Sequence, residues 1–408
     1  MENKKLQLPV NETIQTEGYP VLDRNRLVIR HLSERKNKVI FEQDRVSPLQ
    51  QPQKLSEEGS RLIEQTVARI RTAREKKSSV MLTFGAHTIK NCMAPTLIEL
   101  MKGGWLTHLA TNGAGIIHDW EIAFQGQTSE DVRTNVERGQ FGIWEEPGFY
   151  INLALIVGAY ENLGYGESVG KMIALEGLQI PEINTLYDTA RECMETEPDR
   201  AAAAIDLAGV IKHFNLKTGF MAVPHPYKQY SVQAQAYHLG IPFTGHPMFG
   251  HDIIYTHPMN HGAAIGRTAL NDFLRYAANV ANLDDGVYMS VGSAVMSPMI
   301  FEKSLSMSQN LKIKEGKHID NHFILVVDLA ESDWDWQNKG EPPMDHPAYY
   351  LRYCKTFHRM GGKMQYLTSD NRDFLLSLYQ QLIGKENRQS VKCKNAQNNR
   401  TQQNTIYQ

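Results

Sequence analysis

The chain has 408 residues and a formal net charge of −2, with 41% hydrophobic and 22% charged residues, which is enough apolar material for a substantial core and too little net charge for a broad electrostatic attraction to nucleic acid or an anionic membrane. Its four cysteines, Cys92, Cys193, Cys354 and Cys393, contain no CxxC pair, so neither a disulfide framework nor a thiolate zinc site is indicated. No run reaches the ~18 apolar residues of a membrane span, and MENKKLQLPVNETIQ lacks a signal-peptide core, so a cytoplasmic protein is expected.

Residues 1–55 are polar and punctuated by Pro and Gln (SPLQQPQKL), and read as an arm wrapping a domain or a neighbouring subunit, with disorder as the plainer alternative. From Ser56, SEEGSRLIEQTVARIRTAREKK places Leu62, Ile63, Val67 and Ile70 on one helical face behind an acidic first turn, and SVMLTF reads as a short buried strand. Pro95 opens a helix that Gly103 and Gly104 close, and LTHLAT is a second strand. Residues 149–214 read as a helical insertion without a strand. Further strands are expected at TGFMAV, DIIYT, GVYMSV, HFILVVDL and KMQYL, separated by helices such as GRTALNDFLRYAANVANL and DNRDFLLSLYQQLI. Residues 385–408, rich in Asn and Gln, are expected to form a disordered tail, because they hold too few apolar groups to offset ordering entropy. Strands alternating with helices predict one α/β domain over residues 56–384, with a mainly parallel sheet covered by helices on both faces.

Ligands of open α/β sheets settle at the carboxyl ends of the strands, where glycine lets the backbone approach a phosphate at a helix N-terminus. ATNGAGIIHDWEIA puts Thr111, Asn112, Gly113 and Gly115 at such an end, followed by His118 and Asp119; the plainer alternative is a tight turn that needs glycine for positive φ. Four other strand ends carry polar segments: FGAHTIK with Gly85, PHPYKQYS, GHPMFGHDIIYTHPMNHG, and VGSAVMSP with Gly292 and Ser293. Their convergence on one edge of the sheet predicts a site. His246, His251, His257 and His261, with Asp252 among them, are metal-ligating residue types, but intervening glycines and prolines break the i,i+3 or i,i+4 spacing of a helix-borne metal pair, and no metal site is expected; a substrate or phosphate contact fits at least one of these histidines. Tyr349, Arg352 and Lys355 at near-helical spacing fit a solvated amphipathic helix. Asp328, near the end of HFILVVDL, is placed either to hold a ribose hydroxyl or to cap a helix.

In the order FGAHTIK, HLATNGAGIIHDWEIA, GIPFTGHPMFGHDIIYTHP and YMSVGSAV, the chain resembles the deoxyhypusine synthase superfamily over residues 79–375. That resemblance implies a Rossmann-like sheet, bound NAD and a homotetramer. Thr111, Asn112, Gly113, Ala114 and Gly115 match the family's cofactor turn, Asp119 an acid shortly after it, and Gly250, Asp252 and His257 a Gly-Asp segment whose Asp holds a substrate amine. Gly292 and Ser293 match the start of a Gly-rich segment near the cofactor. The family's substrate-gripping Glu is His118 here, its Lys-His-His is Met296, Ser297 and Pro298, and YLTSDNRDFLLSLYQQLI lacks the family's catalytic lysine. The resemblance therefore carries the fold, the NAD pocket and the assembly, and not the reaction.

The expected function is an NAD-dependent enzyme acting on a small polar substrate that bears an amine or hydroxyl. Gly85, Thr111, Asn112, Gly113, Gly115, Gly292, Ser293 and Asp328 are expected at the cofactor. His118, Asp119, Asp252 and His257 are expected at the chemistry, with His118 or His257 as base and Asp252 as substrate anchor. Three other readings stand beside it: a deoxyhypusine or homospermidine synthase-type transferase, a metal-assisted hydrolase or lyase built on His246–His261, and a non-catalytic nucleotide-binding protein.

Overall fold

The computed structural model describes residue 19 and residues 21–384, and ten strands are formed there: β1 (Asn37–Ile40), β2 (Val80–Phe84), β3 (His108–Asn112), β4 (Gln127–Glu130), β5 (Gly177–Ile180), β6 (Gly219–Ala222), β7 (Phe243–His246), β8 (Val287–Val291), β9 (Phe323–Asp328) and β10 (Lys363–Thr368). VMLTF of β2 and VYMSV of β8 are buried at every position, as central strands covered on both faces must be. They are neighbours in a six-stranded sheet of order β10-β9-β8-β2-β3-β7, in which every pairing is parallel. By order of appearance in the chain, the sheet reads 6-5-4-1-2-3. This is the doubly wound Rossmann-like arrangement, and its topological switch point lies between β2 and β8.

The helices are α1 (Phe41–Asp44), α2 (Glu57–Glu75), α3 (His87–Lys90), α4 (Ala94–Lys102), α5 (Gly113–Gln125), α6 (Val132–Glu137), α7 (Glu145–Tyr160), α8 (Tyr165–Leu175), α9 (Ile183–Cys193), α10 (Pro198–His213), α11 (Val232–Leu239), α12 (Gly262–Val280), α13 (Met296–Lys314) and α14 (Arg352–His358); residues 371–384 are also helical. Alternate strand residues feed two cores. Val80, Leu82 and Phe84 pack with Leu62, Ile63 and Ile70 of α2 and with α4, α5 and α7, while Met81, Tyr288 and Ile324 pack with Tyr276 of α12, Phe301 of α13 and Phe357 of α14. α2 starts where the sequence indicates, because the Ser56 side chain accepts a hydrogen bond from Gly59 N at 3.0 Å beside Glu57 and Glu58. Pro95 sits in the first turn of α4, and Gly103 caps its end.

Besides β1 and β4, which pair with each other where no strand was expected, three elements differ from the sequence expectation. DIIYT is no strand: Ile253–Thr256 forms a single 3-10 turn, because the open edge of β3 is taken one loop earlier by Phe243–His246, and Gly250, at φ +80°, turns the chain away from the sheet. TGFMAV does form β6, but its alternate residues are exposed and it pairs antiparallel with β5, outside the main sheet. β5 itself lies in the 149–214 stretch that was expected to hold only helices, where α7, α8, α9 and α10 otherwise dominate.

The described part of the N-terminal arm packs on its own chain. Leu32 and Phe41 are buried, β1 pairs with β4, and the Arg24 guanidinium donates to Tyr255 O at 3.0 Å and Asn260 Oδ1 at 3.1 Å. The start of the arm, the expected disordered tail 385–408 and Cys393 lie outside the described residues. Cys92, Cys193 and Cys354 are free and buried, and no helix among the described residues is long and apolar enough to cross a membrane.

Candidate functional site

A cavity of about 470 Å³ opens at the switch point, over the carboxyl ends of β2, β3, β7 and β8. Gly85 follows β2 and touches the turn after β8: its N donates to Val291 O at 3.1 Å, and a Cβ there would lie 2.2 Å from Gly292 O. Only glycine fits this backbone-on-backbone approach. Gly292 in turn has φ +57°, the left-handed region, which lets the chain leave β8 sharply towards Ser293 and α13. The Ser293 hydroxyl accepts from Ser297 N at 3.3 Å.

Asn112 and Gly113 close β3 and open α5. The Asn112 side chain accepts from Gly115 N at 2.9 Å, which fixes the first turn and leaves Gly113 and Ala114 on the cavity wall. A Cβ on Gly113 would stand 1.9 Å from Oδ2 of Asp252, so the glycine makes room for that carboxylate. Asp252 lines the cavity, and its Oδ2 is buried with no hydrogen-bond partner among the described residues. Burial lifts its pKa from 3.8 to about 7. His246, on the same wall, shares the Thr244 hydroxyl with His108, with both ring Nε2 atoms 2.9 Å from it. Burial pushes both rings down to about 3, so they are neutral at pH 7. A single Thr hydroxyl has one proton to give, so it donates to one ring and accepts from the other, which couples the two tautomers.

The structure thus gathers Gly85, Asn112, Gly113, Asp252, Gly292 and Ser293 around one cavity, together with His246 and His251. The other expected residues lie elsewhere. Thr111 is buried behind the turn, donating to Phe84 O at 2.8 Å, and a Cβ on Gly115 would meet its hydroxyl at 2.2 Å, so Gly115 serves packing against β3. Asp119 points from α5 to the start of α11, where it accepts from the Ser231 hydroxyl at 2.6 Å, Val232 N at 2.8 Å and the Gln233 amide at 2.9 Å; burial lifts its pKa. His118 Nδ1 lies 2.6 Å from the Thr128 hydroxyl, which donates to Glu121. Arg35 closes that network with a 2.7 Å bond to Glu121, and although burial opposes the charge on Glu121, Arg35 and His118 hold its pKa at about 2. His257 accepts from Met259 N at 3.0 Å through Nδ1, and its Nε2 lies 3.4 Å from Glu145. Asp328 caps the turn after β9, accepting from Ala330 N at 3.1 Å.

The sequence offered no sign of the Thr244–His108 pair or of Arg35, because each acts through a partner distant in the chain. His261 caps α12 by accepting from Ala264 N at 3.3 Å, and among the described residues no three His, Cys, Asp or Glu are grouped to hold a metal.

No family model and no curated protein matches the chain. Solved structures overlap it weakly. Unliganded AgrE has 14% identity over 80% of this chain and 33% of its own, with TM-score 0.41. The ternary complex of AgrE with ornithine and NAD+ has 15% identity over 81% and 34%, with TM-score 0.39. A conserved putative LOR/SDH protein from Methanococcus maripaludis S2 has 11% identity over 82% and 72%, with TM-score 0.37. The chain spans about a third of the AgrE chains, and none of these three is described as a deoxyhypusine synthase.

Proposed function

We propose that the chain is an NAD-dependent enzyme acting on a small polar substrate that carries an amine or a hydroxyl. The observation behind this is Asp252: an unpartnered buried carboxylate oxygen on the wall of a cavity at the switch point of a doubly wound sheet. A buried polar atom without a partner costs stability, and that cost is met where a ligand supplies the partner.

The cavity's turns suit a dinucleotide. The residues that would hold it are Gly85, Gly113 and Gly292, whose backbones lie bare of side chain, Asn112 at the start of α5, and Ser293 beside Gly292 on the cavity wall. One departure is plain: a single glycine follows β2, so the GxGxxG spacing is missing and the close approaches come from three separate turns. NAD supplies a hydride acceptor. With its pKa near 7, Asp252 suits the removal of a proton from a substrate N–H or O–H, or the anchoring of an ammonium group. His118 and His257 do not line the cavity, so the base assigned to them passes to Asp252, with neutral His246 orienting the substrate. A homo-oligomer, a tetramer by resemblance, and a cytoplasmic setting belong to the same proposal.

Calorimetric titration with NAD tests it, with saturable binding expected at or below millimolar concentration. Asp252→Asn should bind NAD within a few-fold of the parent and lose about 10²-fold or more in turnover of an amine or alcohol substrate. Absence of binding at millimolar NAD would sink the reading.

A further inference from the structure

A second cavity, of about 630 Å³, is lined by Arg35 and shares no lining residue with the switch-point cavity. Its floor is buried: Arg35, Gln140 and Trp144. Arg35 is fixed by three interactions. Its Nε donates to Asn37 at 2.8 Å, its Nη1 donates to Glu121 at 2.7 Å, and its guanidinium lies 5.8 Å from the centre of the Trp144 ring. Its Nη2 is buried and has no partner among the described residues. Around this floor stand Arg30, Lys36 and Arg138, all exposed, and none of them in an ion pair among the described residues. Two acids share the rim. Asp131 is already engaged, 2.8 Å from Lys38 and accepting from Thr134 N, and behind the wall the buried Glu130 is engaged by Asn135 and Trp144, at 2.6 and 3.1 Å, which leaves Glu34 as the lining acid without an ion pair among the described residues.

Three exposed cations about one concavity repel each other, and the buried Arg35 guanidinium, although paired with Glu121, keeps one Nη2 donor without a partner. Both penalties vanish when a multiply charged oxyanion enters, because guanidinium groups bind such oxygens through paired charge-assisted hydrogen bonds. We propose that this cavity is an anion-binding site for a compact phosphate or phosphate ester, separate from the cofactor cavity, with Arg35 as its fixed donor and Arg30, Lys36 and Arg138 as its mobile ones. It adjoins the candidate active site through α5. Glu121, which holds Arg35, stands eight residues along that helix from Gly113, about 12 Å by the rise of an α-helix.

Calorimetry with inorganic pyrophosphate, at ionic strength held constant with sodium chloride, tests the site. Arg30 and Arg138 are exposed, so Arg30→Ala/Arg138→Ala leaves the core intact, whereas replacing Arg35 would strand Glu121. One saturable site of sub-millimolar affinity is expected in the parent, weakened at least tenfold in Arg30→Ala/Arg138→Ala. A control that removes the same charge elsewhere, Lys312→Ala/Lys314→Ala, should stay within twofold. Absence of saturable binding at 10-millimolar pyrophosphate overturns the proposal. Equal binding by parent and Arg30→Ala/Arg138→Ala also overturns it, since the anion would then sit elsewhere, and loss of binding in both double variants would reduce it to net charge. Pyrophosphate held instead by the turns of the cofactor cavity would be displaced by NAD and unaffected by Arg30→Ala/Arg138→Ala, so failure of this proposal and failure of the cofactor reading are distinguishable.

Discussion

Asp252→Asn should stabilise the protein at neutral pH while disabling it, and the size of the gain follows from burial. The carboxyl titrates near 3.8 in an unfolded chain and near 7 in the fold. At about 1.36 kcal/mol per pH unit, that gap costs the ionised fold up to about 4 kcal/mol, and water in the cavity screens it to about 2–4. The sign is that of a raised acid. Below pH 4 the group is neutral in both states and costs nothing; as pH rises towards 7 the unfolded chain ionises first and the fold loses stability, and above 7 the loss is constant. Asparagine fits the same space and does not titrate. The stability of Asp252→Asn minus that of the parent should therefore climb from near zero at pH 4 to about 2–4 kcal/mol at pH 7.5 in urea denaturation. Asp272, also lifted to about 7 by burial, titrates in both proteins and cancels. A difference that stays flat from pH 4 to 8 would refute the idea that Asp252 is an unsatisfied buried acid.

Gly85→Ala drives a Cβ to 2.2 Å from the backbone oxygen of Gly292, which cannot rotate away, so a loss of about 2–3 kcal/mol in stability and of NAD binding is expected by denaturation and calorimetry. Asp119→Ala strips the start of α11 of its buried acceptor; a loss of at least about 3 kcal/mol is expected, and the folded fraction should bind NAD normally. His118→Ala removes one bond to Thr128 away from the cavity, so about 1 kcal/mol of stability and less than a few-fold change in turnover are expected; a 10²-fold loss would return His118 to the chemistry.

Much of the fold was legible because it depends on local pattern. A short run such as VMLTF, apolar but for one β-branched Thr, has to be a strand covered on both faces, Ser56 ahead of two glutamates has to start a helix, and strands alternating with helices have to make a mainly parallel sheet. The glycines of the strand ends were legible for a similar reason, since Gly85 and Gly113 mark turns where a side chain has no room and Gly292 one that needs a positive φ. DIIYT was misread because strand propensity says nothing about whether a sheet edge is free.

What the tertiary structure decided is which residues face each other. His118, Asp119 and Asp252 look equally capable in the sequence, but α5 turns Asp119 towards Ser231 and His118 towards Thr128, and only Asp252 is left on the cavity with an oxygen unpaired. Arg35 sits in a polar segment that gives no hint of burial, and Glu121, 86 positions away, makes it a buried donor. Helix and strand follow from neighbours in the chain, because their hydrogen bonds and periodicities are local. The ionisation and partnership of a side chain depend on the dielectric and the donors that distant segments bring to it, and those exist only once the chain has folded.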